Sequence, residues 1–282
     1  MADLLLGKPV GDALSEDTKA QVERLRARGV QPTLAIIRMG ERPDDLSYER
    51  GACKRAESLG IAVRKFLLSE DAPQAALMEA IAQVNADDSI HGCLMFRPLP
   101  KGIDETAACN ALSPAKDVDG ITVGSLAGVF MGTGVGFPPC TAQACVEILG
   151  HYGIDVEGKD VAVVGRSLVI GKPVAMLLLA KNATVTLCHS RSADLPAVCR
   201  AADVVVYATG RPRAYSLEHF ATGQVVLDVG INVDEEGNLC GDVDFDAAEP
   251  VVAAITPVPR GVGSVTTAVL MRHVAQAAAA QS

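Results

Sequence analysis

The chain has 282 residues, 49% of them apolar, and a formal net charge of −9. That length is a prior for two domains, and the acidic balance makes nucleic acid and anionic membrane surfaces poor partners. No run is long and apolar enough to span a bilayer, and the start MADLLLGKPVGD lacks the basic region and apolar core of a secretory signal. Eight cysteines without C-x-x-C spacing point to packed, reduced thiols in a cytoplasmic protein rather than to a disulfide framework. The histidines are scattered, so no metal is expected.

The first half alternates helix and strand. Residues 15–28 read as an amphipathic helix and 33–39 as a strand; 45–59 read as a helix closed by Gly60, and 61–68 as a strand. A helix over 72–86 precedes a buried strand over 90–96, which stops at Arg97-Pro98-Leu99-Pro100 because prolines end a ladder. The Gly/Pro-rich stretch 132–139 marks a domain boundary or the cover of a cleft. A helix from Cys145 leads into the second half, with strands expected at 160–164, 184–188, 204–207, 225–229 and 253–256. A last helix, 266–280, is expected to return to the first lobe.

Residues 158–191 carry the most information. The β-branched run Asp160 to Val164 ends at Gly165; Gly171-Lys172-Pro173 is followed by an apolar helix-like run over 174–180, and the next strand ends in Cys188. A glycine turn between strand and helix lets backbone N–H groups approach a phosphate. It also serves as a simple strand-to-helix turn that binds nothing. The spacing argues against a P-loop, since five residues separate the glycines and Pro173 stands where a magnesium-binding hydroxyl is needed. Ser167 replaces the second glycine of G-x-G-x-x-G. After the second strand comes His189-Ser190-Arg191, with no acid to accept ribose hydroxyls. Arg166, Ser190 and Arg191 suit a 2′-phosphate, which favours NADP over NAD; as solvated surface charges, the arginines carry no such meaning. The expected fold class is α/β, with two α/β lobes and a cleft between them. The first lobe spans 1–143 with the C-terminal helix 264–282, and a Rossmann-like dinucleotide-binding lobe spans 144–263.

Several ordered segments together resemble the bifunctional methylenetetrahydrofolate dehydrogenase/cyclohydrolase family. They are Ser47-Tyr48, Pro98-Leu99-Pro100, Lys116 to Gly120, Pro139-Cys140-Thr141, Gly165 to Gly171, Cys188-His189-Ser190, Asp228 to Asn232, Gly241-Asp242-Val243, and Ile255 to Gly263. The resemblance covers essentially the whole chain. It implies hydride transfer from 5,10-methylenetetrahydrofolate to NADP, hydrolysis of the methenyl product in the same cleft, and a homodimer. By position it implies that Tyr48 flanks the folate ring and Asp119 binds the pterin N–H edge, with Pro98, Leu99, Pro259 and Gly261 also on the substrate. It assigns Gly165, Arg166, Ser167, Gly171, Ser190, Arg191, Thr209, Gly210 and Ile231 to the cofactor.

Two catalytic positions depart from the family. Its lysine, four residues after the tyrosine, is Ala52 here, and its glutamine, two residues before Pro-Leu-Pro, is Phe96. Arg260 and Ser264 replace a family glycine and proline beside the folate. Hydride transfer removes no proton from the substrate and depends on positioning, whereas hydrolysis needs general acid–base help, commonly worth ~10²–10⁴-fold. The expected function is an NADP-dependent dehydrogenase with weak or absent cyclohydrolase activity. The alternatives are a fully bifunctional enzyme in which Arg55, Arg97 or a water replaces the missing groups, a folate- or nucleotide-binding pseudoenzyme, and a dehydrogenase for another substrate.

Overall fold

The computed structural model describes residues 1–282. The chain opens with β1 (Asp3–Leu4), α1 (Gly7–Ala27), β2 (Thr33–Met39), α2 (Pro43–Leu59), β3 (Ala62–Leu68), α3 (Gln74–Ala86) and β4 (Gly92–Met95). Then come α4 (Glu105–Ala111), α5 (Val123–Met131), α6 (Cys140–His151), β5 (Asp160–Val164), α7 (Gly171–Leu179), β6 (Thr184–Cys188), α8 (Leu195–Ala201) and β7 (Val204–Tyr207). The rest is β8 (Val225–Asp228), β9 (Asn232–Val233), β10 (Leu239–Cys240), α9 (Phe245–Ala248), β11 (Ala254–Ile255) and α10 (Thr266–Ala280). Two compact units result: Asp12–Cys140 with Thr267–Ser282, and Met1–Gly11 with Thr141–Thr266.

The first of these units is built on a parallel sheet of three strands in the order β3-β2-β4. Every residue of β2 is buried, as expected for a central strand covered on both faces. Ala35, Ile37 and Met39 enter a core with Leu77 and Ile81 of α3. Alternation along the strand turns Leu34, Ile36 and Arg38 to the other face, where Arg38 meets Glu49 of α2. The sequence sets the limits of α2 at both ends: Pro43 needs no N–H in the first turn, and Gly60 closes the helix with a left-handed φ of 72°. Its buried residues, Asp45, Glu49, Ala52, Ala56 and Leu59, form one helical stripe. The stretch 132–139 is packed rather than a free connection. The backbone of Phe137 to Pro139 lies so close to Gly120 that a Cβ there has no room, and Val135 does the same to Gly128.

In the second unit six parallel strands run in the order β1-β11-β8-β7-β5-β6. Its core includes Ala162, Val164, Val205, Tyr207, Val226 and Ile255. The strand order reverses between β5 and β7, and ligands of open α/β sheets bind at the carboxyl ends of strands at such a point. The corresponding reversal in the three-stranded sheet lies between β2 and β4.

The N-terminus differs from expectation. Met1–Gly11, assigned by sequence to the first lobe, joins the six-stranded unit because β1 pairs with β11, Asp3 with Ala254 and Leu4 with Ile255. Two helices also start earlier than expected, α1 at Gly7 and α7 at Gly171. In each, a proline (Pro9, Pro173) falls in the first turn, where its missing N–H costs nothing. The short elements α4, α5 and the β9–β10 hairpin carry little periodicity and were not expected from the sequence.

Candidate active site

In the three-stranded unit, Tyr48 is half-buried on α2 and its ring meets the edge of Phe96 at 6.0 Å between centroids. Phe96 follows the carboxyl end of β4, tied by its N–H to the Ile37 carbonyl at 3.0 Å. Pro98 is exposed, and the N–H of Leu99 donates to Glu105 at 2.9 Å. Ala52 is fully buried on the face of α2 that meets the sheet. Arg55 is turned to other partners, donating to Thr267 at 3.0 Å and Ser15 at 2.7 Å, and Lys54 is exposed. Arg97 lies 3.7 Å from Glu105.

One buried cluster on this face escaped sequence reasoning. Glu49 takes the Arg38 Nε–H at 2.8 Å on one oxygen and the Lys65 ammonium at 2.6 Å on the other. Burial pushes the Glu49 carboxyl up, but the hydrogen bonds from Lys65 and Arg38 outweigh it and hold it below the ordinary value. The bond to Glu49 raises Lys65 in turn, so its amine stays charged. The three residues come from β2, α2 and β3, far apart in sequence. The visible signal was a glutamate placed one turn before Ala52 on an apolar stripe.

Asp119 lies beyond the bridge that joins Cys93 to Asp117. Asp117 accepts the N–H groups of Ile121 at 3.0 Å and Thr122 at 2.7 Å, which fixes the turn that presents Asp119. Burial raises the Asp119 carboxyl to about 6, against the opposing hydrogen bond from the Cys140 thiol. That thiol also reaches the Val118 carbonyl at 3.3 Å, and the same carbonyl accepts from His273 Nδ1 at 2.9 Å.

In the six-stranded unit the glycine turn stands at the switch point. Gly165 has φ 133°, and a Cβ there collides with the Ala208 carbonyl; one on Gly171 collides with the Gly165 carbonyl. The Gly165 N–H donates to the Cys188 carbonyl at 3.0 Å, so Arg166 and the segment His189-Ser190-Arg191 emerge from neighbouring strands. Arg166, Ser190 and Arg191 are all exposed there. Ser167 also has a structural part in the turn. Its hydroxyl accepts the N–H of Ile170 at 3.1 Å and its carbonyl that of Lys172 at 3.0 Å, so it caps α7. The helix N-terminus is therefore already partly satisfied, and Arg166, Ser190 and Arg191 are exposed beside it for an anion.

Thr209 and Gly210 follow β7, held by a residue that sequence reasoning included in a segment of the resemblance but gave no role. Asp242, wholly buried, accepts five donors: the N–H groups of Thr209, Gly210 and Arg211, the Thr209 hydroxyl and the Asn232 amide. Beside it Asp228 accepts the N–H groups of Gly230, Asp242 and Val243. Burial raises Asp228 to about 7, although its bonds from Val243 and Asp242 N–H oppose the shift. Ile231, 66% exposed, lines a pocket with Pro259 and Gly261, so these three site residues do come together. A cradle that excludes Cβ atoms, arginines at adjacent strand ends and no carboxylate after β6 fit a phosphorylated dinucleotide.

Comparisons with known proteins agree with this arrangement. A family model described as the catalytic domain of tetrahydrofolate dehydrogenase/cyclohydrolase matches residues 5–119, and one described as its NAD(P)-binding domain matches 139–282. The bifunctional protein FolD of Carboxydothermus hydrogenoformans is 52% identical over 279 residues, covering 98% of this chain and 97% of that protein. FolD of Clostridioides difficile is 49% identical, covering 99% and 97%. The crystal structure of the bifunctional FolD dehydrogenase/cyclohydrolase from Campylobacter jejuni superposes with a TM-score of 0.96 at 35% identity, with complete coverage (100%) of both chains. That of the Trypanosoma brucei enzyme, complexed with NADP and an inhibitor, gives 0.92 at 34% identity over 99% of this chain and 98% of that one. This chain belongs to the tetrahydrofolate dehydrogenase/cyclohydrolase family.

Proposed function

We propose that this protein oxidises 5,10-methylenetetrahydrofolate to the methenyl cation with NADP as hydride acceptor, and that its hydrolysis of that cation is weak or absent. The observation that carries the second half is the buried stripe of α2. Ala52 and Phe96 stand at the family's lysine and glutamine positions, and neither side chain moves a proton. The nearby substitutes are engaged: Arg55 by Thr267 and Ser15, and Lys65, kept as an ammonium, by Glu49. An arginine, moreover, does not act as a base.

Oxidation asks less of the protein. NADP, when bound, accepts the hydride. Arg166, Ser190 and Arg191 would hold its 2′-phosphate, and the Asp242-braced turn at Thr209-Gly210 would shape the bed beside it. Tyr48, Pro98 and Leu99 would orient the folate. Asp119 would accept the pterin N–H groups, and as a carboxylate it favours a product that gains positive charge. Because Asp119 is raised to about 6, its ionised form dominates at neutral pH and declines as pH falls through about 6. We further propose that the protein works as a homodimer, as the resemblance implied, and in the cytoplasm, as its packed thiols suggest.

A second reading, the fully bifunctional enzyme, is favoured by the relatives, which are named as bifunctional FolD proteins. One assay separates the two. Methenyltetrahydrofolate is supplied without nicotinamide and its decay followed against buffer. Decay at the buffer rate is expected, with reduction of NADP by methylenetetrahydrofolate intact; decay well above buffer establishes the bifunctional reading. The pair Ala52→Lys with Phe96→Gln is then expected to raise hydrolysis by at least about tenfold, a partial recovery of the ~10²–10⁴-fold that a well-placed acid–base group supplies.

A further inference from the structure

Arg260 occupies a conformation that suits glycine. Its φ is 85°, on the left-handed side, where a side chain is strained. The loop is pinned around it. Its carbonyl accepts the Gly7 N–H at 2.8 Å, a Cβ on Gly7 would strike the Gly261 carbonyl, and one on Gly261 would lie 2.5 Å from the Pro257 carbonyl. The backbone shape is thus fixed from outside, and glycine would adopt it freely. The arginine side chain gains nothing inside the protein for this strain, since it is exposed and its guanidinium has no protein partner.

It does line the pocket that holds Ile231, Pro259 and Gly261. The walls of that pocket are largely apolar, with Val229, Ile231, Leu239 and Pro259 among them, and Arg260 is its one cationic residue. Asp228, also in the lining, has its carboxylate committed to backbone N–H groups. An apolar wall with a single unpaired guanidinium fits a ligand with a flat apolar body and an anionic end.

We propose that Arg260 is a specificity-determining residue that binds an anionic oxygen group of the ligand in this pocket, either a carboxylate of the folate's glutamate tail or a phosphate of the dinucleotide. This rests on the folate-dehydrogenase reading above. A planar guanidinium binds either group through paired hydrogen bonds, and Arg260 stands in the lining of the pocket.

The test compares the wild-type protein with Arg260→Gly and Arg260→Lys. Binding is titrated for NADPH, for a reduced folate with its glutamate tail, and for the same folate with the tail carboxylates converted to amides; turnover is measured in parallel. Arg260→Gly is expected to weaken one anionic ligand by about tenfold or more, the effect of losing a charge-assisted pair. Arg260→Lys should recover part of that loss. A loss seen for the charged tail and not for the amide assigns the carboxylate, and a loss seen for NADPH assigns the phosphate. Thermal midpoints guard against misfolding, since glycine relieves the strained φ and is expected to leave the midpoint unchanged or higher. Equal affinities for every ligand in wild type and Arg260→Gly overturn the proposal. Failure of the wild type to turn over methylenetetrahydrofolate overturns the dehydrogenase reading instead, and the binding titrations still decide Arg260.

Discussion

At the scale of single residues, Glu49 holds two cations on the stripe of α2 that also carries Ala52. Arg38 is 5% exposed and Glu49 8%, so removing the carboxylate leaves a buried guanidinium without its counter-charge. Glu49→Ala is expected to lower stability by ~3–5 kcal/mol, as for other broken buried pairs, read as a shift in the urea midpoint. Replacing the buried pair together, Arg38→Met with Glu49→Leu, should cost much less, because no charge is stranded. Lys65, whose side chain is 43% exposed, adds little by itself. Ala52 and Phe96 were legible only through the resemblance, since nothing in an alanine or a phenylalanine announces a missing proton carrier. The Glu49 cluster was not legible, because pairing across α2, β2 and β3 is decided by tertiary packing.

At the scale of elements, the turn from β5 into α7 was readable almost to the residue. The β-branched run stops at a glycine, and the proline two residues after Gly171 is compatible with a helix start and with little else. The role of Ser167 was not readable, because its capping bonds depend on how the loop folds back. Gly171→Ala forces a Cβ into the Gly165 carbonyl and so displaces Arg166 from the cradle. It is expected to weaken NADPH binding by about tenfold or more (~1.4 kcal/mol), checked by fluorescence titration, while folate binding is retained. The long central strand β2 and the helix bounded by Pro43 and Gly60 were equally plain. By contrast β1, two residues long, has no pattern of its own, and only Ala254 and Ile255 make it a strand.

At the scale of the whole molecule, two buried carboxyls set part of the pH dependence of stability. Asp119 is raised to about 6 and Asp228 to about 7, while an unfolded aspartate titrates near ~3.9. Between those limits the folded state binds more protons than the unfolded chain, so the contribution of these groups falls as pH rises from about 4 through about 7. His91, lowered chiefly by burial, acts in the opposite sense near its own titration. The cleaner readout is therefore a difference. Relative to Asp228→Asn, the wild type is expected to lose stability between about pH 4 and pH 7, measured as the gap between their urea midpoints.

The pairing of β1 with β11 also has a consequence for synthesis. Asp3 and Leu4 find their neighbours only when Ala254 and Ile255 have been made, about 250 residues later, at roughly 5–20 residues per second. The unit formed by Asp12–Cys140 waits as well, because Thr267–Ser282 completes it. Each unit thus depends on a segment made long after its own first residues. A ribosome stalled after Cys140 would hold β2, β3 and β4 without α10, and β1 without β11, and so no finished unit.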